Sequence, residues 1–103
     1  RIAGIESKVF PIKGIRVRAI CCEHFSIADN NPKNGFIDIS VRLRGGRDLE
    51  TRKKATEHIF SVAEKFLKPI LKKYPFALSM EMRNIDPELS PKVNSIPNFM
   101  KES

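Results

Sequence analysis

The sequence holds 103 residues, 41% hydrophobic and 30% charged, the proportions of one folded domain rather than of a disordered or membrane-embedded chain. Nineteen Lys and Arg against twelve Asp and Glu give a formal net charge of +7, for which nucleic acid, small anions and solubility are all sufficient reasons. No apolar run approaches the roughly 20 residues a membrane span needs, and Arg1-Ile2-Ala3-Gly4 lacks the apolar core of a signal peptide, so a cytoplasmic location is expected.

Residues Arg1 to Lys8 are too few for an element of their own. From Gly14 to Cys22, Ile15, Val17, Ala19 and Cys21 alternate with Arg16, Arg18, Ile20 and Cys22, a period of two that predicts a strand. Cys21 and Cys22 are adjacent and cannot close an ordinary disulfide loop. With His24 they make three potential ligands without a fourth at ligand spacing, so two small side chains on a strand are expected, and no metal. Asp29-Asn30-Asn31-Pro32-Lys33-Asn34-Gly35 gathers turn-forming residues into a loop.

The next strand is cleaner. Ile37, Ile39, Val41 and Leu43 face one way, Asp38, Ser40, Arg42 and Arg44 the other, and Gly45-Gly46 ends it. Asp48 reads as the N-cap of a long helix with Glu50 in its first turn. In that helix Ala55, Ile59, Val62, Ala63, Phe66 and Ile70 form an apolar stripe expected to face the core, and Glu50/Lys54 and Glu64/Lys68 are i,i+4 pairs. Pro69 predicts a kink or a looser last turn, and Tyr74-Pro75 ends the helix. Phe76, Leu78, Met80 and Met82 then alternate with Ala77, Ser79, Glu81 and Arg83 as another strand. Strand, helix, strand is a βαβ unit whose two strands lie parallel. The tail from Asp86 to Ser103 carries Pro87, Pro91 and Pro97 and reads as an irregular arm, anchored by Val93, Ile96, Phe99 and Met100.

The segments Phe10-Pro11-Ile12-Lys13-Gly14-Ile15-Arg16-Val17-Arg18-Ala19, Leu43-Arg44-Gly45-Gly46-Arg47-Asp48-Leu49-Glu50-Thr51-Arg52 and Asp86-Pro87-Glu88-Leu89 together resemble the 5-carboxymethyl-2-hydroxymuconate isomerase family of the tautomerase superfamily. Phe76-Ala77-Leu78-Ser79 and Lys92 to Asn94 extend the likeness, which runs from about Val9 to Phe99. It implies one N-terminally incomplete α+β domain over residues 1–103, from a family whose subunit is a βαβ repeat with a four-stranded sheet and two helices on one face, assembled into a homotrimer. It also implies an isomerase that needs no cofactor and moves a proton within an unsaturated enol dicarboxylate, in aromatic-compound catabolism such as homoprotocatechuate degradation. The family's base is an N-terminal proline on its first strand, a secondary amine whose lowered pKa suits proton abstraction near neutral pH. Arg1 to Lys8 match the end of the family's first helix. The proline, its strand and most of that helix therefore fall outside these residues, and a fragment of a longer protein is expected.

Two arginines carry over from the family as catalytic and substrate-binding residues. Arg16 and Arg47 each lie near glycine at a strand end, and a dicarboxylate needs fixed cationic forks that arginine supplies and lysine does not. Cationic groups there also stabilise the dienolate formed after proton abstraction, and the turn before Arg47 opens a helix whose free amides favour an anion. Arg18 shares a face with Arg16 and is a further substrate-binding candidate, or pairs with a carboxylate. Arginines at strand ends are otherwise most often solvated surface residues. His24 has no assigned role, and His58 reads as a partly exposed helix residue. A non-catalytic trimeric homologue is the nearest alternative reading. A nucleic-acid-binding module is the more distant one, because one Tyr, no Trp and the placement of Phe36 and Phe76 at strand starts do not supply a stacking surface.

Overall fold

The structure, a computed structural model, describes residues 1–101; Glu102 and Ser103, the end of the predicted arm, lie outside the described residues. Contrary to the expectation that Arg1 to Lys8 are too few for an element of their own, a short helix, α1 (Ile2–Glu6), forms there, closed by Ser7 N–H to Ala3 O, and a 3₁₀ turn follows at Ile12–Gly14. The βαβ unit comes next, with β1 (Gly35–Leu43), α2 (Leu49–Lys73) and β2 (Phe76–Asn84), and a second 3₁₀ turn at Ile96–Phe99 lies in the tail. Among the described residues the sheet has two strands, β1 and β2, paired in parallel over their whole length from Gly35 opposite Phe76 to Leu43 opposite Asn84.

Because parallel partners share a face, Ile39, Val41 and Leu43 line up with Met80 and Met82 on the side that α2 covers. Leu43, Val9 and Ala55 form the buried cluster, with Phe10 and Met82 packed against it. The core therefore sits where the end of β1 meets the first turns of α2, directly beneath the loop that carries Arg47. Helix α1 lies against α2, and His58 Nε2 meets Glu6 Oε1 at 3.0 Å between them. Gly4 is buried in α1, and a Cβ there would stand 2.6 Å from Ile15 Cδ1. That close approach sets Ile15 against the helix and launches the chain toward Arg16.

Several sequence-based expectations need correction. Gly14 to Cys22 is not a strand. Ile15 has extended backbone (φ −76°, ψ 129°), but the segment finds no ladder partner among the described residues, and Val17 and Ile20 are 69% and 78% exposed. Alternation reports extended backbone; a strand also needs a neighbour to accept its hydrogen bonds. Cys21 and Cys22 are accordingly free and exposed rather than packed on a sheet.

The helical stripe is met in part, with Ala55 buried and Ile59 and Ala63 half-buried, but its centre is rotated toward Leu67. Ala55 and Leu67 are the buried residues of α2, whereas Phe66 is 83% exposed and Val62 and Ile70 are exposed as well. Contact of α2 is mainly with β2, so only the arc over that strand is covered. Pro69 does not end the helix, which runs through Lys73, with Tyr74 N–H donating to Ile70 O at 2.9 Å. Proline itself supplies no backbone donor to that stretch. Glu50/Lys54 and Glu64/Lys68 do not close; the ion pairs among the described residues are His58–Glu6 and Arg83–Glu81. Such exposed pairs gain too little to fix two long side chains.

The tail is irregular as expected, but Val93 and Phe99 are 98% and 83% exposed and anchor nothing among the described residues. With the long segment before β1 also unpaired, the radius of gyration reaches 16.5 Å, against about 13 Å for a compact chain of this size.

Candidate functional site

The turn Arg44-Gly45-Gly46-Arg47 joins β1 to α2. Gly46 has φ +113°, a conformation strained for any L side chain, so glycine lets the chain reverse here within three residues. Asp48 then caps α2, its carboxylate accepting from Thr51 N–H at 2.8 Å. The hydrogen bonds from Thr51, side chain first and then amide, hold the Asp48 carboxyl below its ordinary pKa. The N-terminus of α2 thus already faces one anion of its own, which occupies the Thr51 amide.

Arg47 is half-buried and held at both ends. Its Nη1 donates to Arg44 O at 3.2 Å, and its carbonyl accepts from Arg52 Nε at 3.3 Å. Arg44 in turn extends the other way, Nη2 donating to Ser90 O at 3.1 Å. Arg16 is exposed on the extended segment after the Ile12–Gly14 turn, and Arg18 is exposed two residues on. Neither has an ion-pair partner among the described residues, so the expectation that Arg18 pairs with a carboxylate is not met.

The segments carrying Arg16 and Arg47 are brought together by the arm. Ile85 N–H donates to Leu43 O, continuing the ladder past β2, and Asp86 Oδ1 accepts from the amides of Glu88 and Leu89 at 2.8 and 3.0 Å. The arm then meets Arg44 at Ser90 and the first 3₁₀ turn at Asn94, whose Nδ2 donates to Lys13 O at 3.0 Å. Four residue steps separate Ser90 from Asn94, so the two anchors stand at most about 14 Å apart.

Two surface cavities lie elsewhere. One of about 290 Å³ is lined by Glu6, Ser7, Thr51, Lys54, Ala55 and His58, and its one carboxylate, Glu6, is already paired with His58. The other, of about 340 Å³, lies between α2 and β2 and mixes Arg52 and Lys53 with Glu57 and Glu81. Arg16, Arg18 and Arg47 line neither. His58 is half-exposed on α2, as read from the sequence, and its partner Glu6 gives it a structural task between the helices.

What this geometry offers chemically is two guanidinium groups on different segments, one pre-oriented by backbone contacts and one free to reach. The family model for 5-carboxymethyl-2-hydroxymuconate isomerase matches residues 2–100. The chain belongs to this family. A 5-carboxymethyl-2-hydroxymuconate Delta-isomerase of Escherichia coli is 27% identical over 93 residues, covering 90% of this chain and 74% of that protein. A crystal structure of a 5-carboxymethyl-2-hydroxymuconate isomerase from Deinococcus radiodurans R1 superposes with a TM-score of 0.84 at 24% identity, over 94% of this chain and 74% of the other. A second crystal structure, of a 5-carboxymethyl-2-hydroxymuconate delta-isomerase, gives a TM-score of 0.82 at 22% identity, over 99% and 81% of the two chains. These likenesses establish the tautomerase-like α+β fold and place the chain among isomerases.

Sequence reasoning missed Arg44, Ser90 and Asn94 as members of the arginine neighbourhood. The Arg44-Gly45-Gly46-Arg47 motif drew attention to Arg47, but Arg44 alternates outward on its strand and reads as solvent-facing. Asn94 carries a local signal, an Asx turn in which its Oδ1 accepts from Ile96 N–H at 3.0 Å. Nothing local announces its bond to a carbonyl 81 positions away.

Proposed function

We propose that this chain carries the substrate-holding part of an isomerase that moves a proton within an unsaturated enol dicarboxylate, of the 5-carboxymethyl-2-hydroxymuconate type. Arg47 binds one carboxylate as a fork pre-set by Arg44 O, and Arg16 binds the other, with Arg18 beside it supplying further positive potential. As a base withdraws a proton, charge spreads into the dienolate, and the same guanidinium groups stabilise it more than they stabilise the ground state. The base in this reading is an N-terminal proline amine, as the family resemblance implies. A homotrimer in the cytoplasm is the proposed working form. Its support is the exposed apolar surface of Val17, Ile20, Phe25, Phe66, Val93 and Phe99, far more than a small monomer ordinarily leaves uncovered.

The observation that carries the proposal is the arm, which links the Arg16 and Arg47 segments by hydrogen bonds to Lys13 and Arg44. The test follows ketonisation of an unsaturated enol dicarboxylate by ultraviolet absorbance. A polypeptide extended upstream so that it begins with proline turns the substrate over, whereas the 103 residues alone do so slowly or not at all. Equal rates for the two refute the proline mechanism, and no turnover by either refutes the isomerase reading.

A further inference from the structure

We infer that the segment from Asp86 to Asn94 is a strap that sets the spacing of Arg16 and Arg47, with Arg44 and Asn94 as its positioning residues. The inference rests on the proposed dicarboxylate reading for its purpose, though not for its geometry.

The strap has three fixings. At its root Ile85 N–H extends the β ladder to Leu43 O at 2.8 Å, and the Asp86 carboxylate gathers the next free amides into a turn. At its middle Ser90 O accepts from Arg44. At its far end Asn94 donates to Lys13 O, three residues before Arg16.

Apolar packing does not hold the segment down, because Leu89 is 79% and Val93 98% exposed. The few polar contacts therefore decide where it lies, and Ser90 and Asn94, half-buried, are the residues that make them.

Arg44 is the junction. Its guanidinium holds the strap while its carbonyl accepts from Arg47 Nη1, so one residue couples the strap to the orientation of the binding fork. A continuous chain of contacts then runs from Arg47 through Arg44, Ser90 and Asn94 to Lys13. The Lys13 turn is itself closed by Gly14 N–H to Pro11 O at 2.9 Å and Ile15 N–H to Ile12 O at 3.4 Å. A ligand with two carboxylates gains from such coupling, because after the first is bound the second arginine is presented at high effective concentration. A ligand with one carboxylate gains nothing from it. The strap is thus a determinant of dicarboxylate selectivity.

Two measurements on the full chain separate this inference from the reading it rests on. The first is amide hydrogen exchange. Arg44→Ala removes no contact to residues 11–15, yet its loss of the Ser90 fixing is expected to speed exchange at Gly14 and Ile15 about fivefold, the factor for one net hydrogen bond. Asn94→Asp keeps the acceptor for Ile96 N–H but loses the donor to Lys13, and is expected to do the same. Unchanged exchange at Gly14 and Ile15 in both variants, with native circular dichroism, overturns the strap whatever the ligand.

The second is calorimetric titration with cis,cis-muconate and with its monomethyl ester. Asn94→Ala is expected to weaken muconate about fivefold while the ester stays within about twofold. Equal losses for both ligands, or none for either, overturn the assigned role of the strap. A wild-type chain that does not distinguish muconate from its ester refutes the dicarboxylate reading itself, and the exchange result then decides the strap alone.

Discussion

Leu43 is 3% exposed at the point where β1 delivers the chain into the Arg44–Arg47 turn, and with Val9, Ala55 and Leu67 it is among the buried apolar side chains of the described residues. Leu43→Ala removes three carbons. At about 0.8 kcal/mol per buried methylene the transfer loss is about 2.4 kcal/mol, and the cavity left beside Val9, Ala55 and Met82 brings it to about 3 kcal/mol. Against the roughly 5–15 kcal/mol that holds an ordinary domain folded, that is a large fraction. In urea, with a slope of about 2 kcal/mol per molar, the unfolding midpoint by far-ultraviolet circular dichroism falls by about 1.5 M. Phe66→Ala is the matched control. Phe66 belongs to the apolar stripe legible in the sequence but is 83% exposed, so in dilute solution its midpoint moves by less than about 0.3 M. A larger shift for Phe66→Ala than for Leu43→Ala would mean that α2 is packed on the face its periodicity suggests, and the rotated helix described above would be wrong.

In a proline-initiated chain, Arg47→Ala is expected to lower kcat/KM for the dicarboxylate about tenfold or more, with Arg47→Lys recovering little of it because a point charge cannot replace the fork; full activity in the alanine variant removes Arg47 from the site. The lowered pKa of Asp48 makes its cap a pH-dependent contribution, present above its ordinary value of 3.8 and lost as pH falls through the folded value. Urea midpoints of the wild type and Asp48→Asn should therefore converge below about pH 4, and a gap independent of pH would show that the charge plays no part. Sedimentation equilibrium of the complete protein should return three chains per particle, with a monomer at high micromolar concentration counting against the proposed trimer.

The βαβ unit was legible because each of its signals is local. Period two over Ile37–Leu43 and Phe76–Met82, an Asp48 cap and the Tyr74-Pro75 stop all act within a few residues, and each fell where it was read. Gly14 to Cys22 failed for the opposite reason, since a strand exists only through its neighbour, and exposed Val17 and Ile20 have none among the described residues. The stripe on α2 erred by part of a turn because periodicity reports which side of a helix is apolar, whereas Leu67 and Phe66 are sorted by how much of that side the sheet covers. Arg47 was visible through its glycine turn and the family likeness. Asn94 was not, because its partner Lys13 is remote in sequence and the contact is made by backbone oxygen, which leaves no mark on residue type.

The most direct measurement is a crystal structure of the chain with an unsaturated dicarboxylate bound. One carboxylate is expected on the Arg47 guanidinium and the other on Arg16, with the strap closed between Arg44 and Lys13. Density for the ligand in the Glu6–His58 cavity or beside Leu49 and Met82, with neither arginine within hydrogen-bond distance, would contradict that placement.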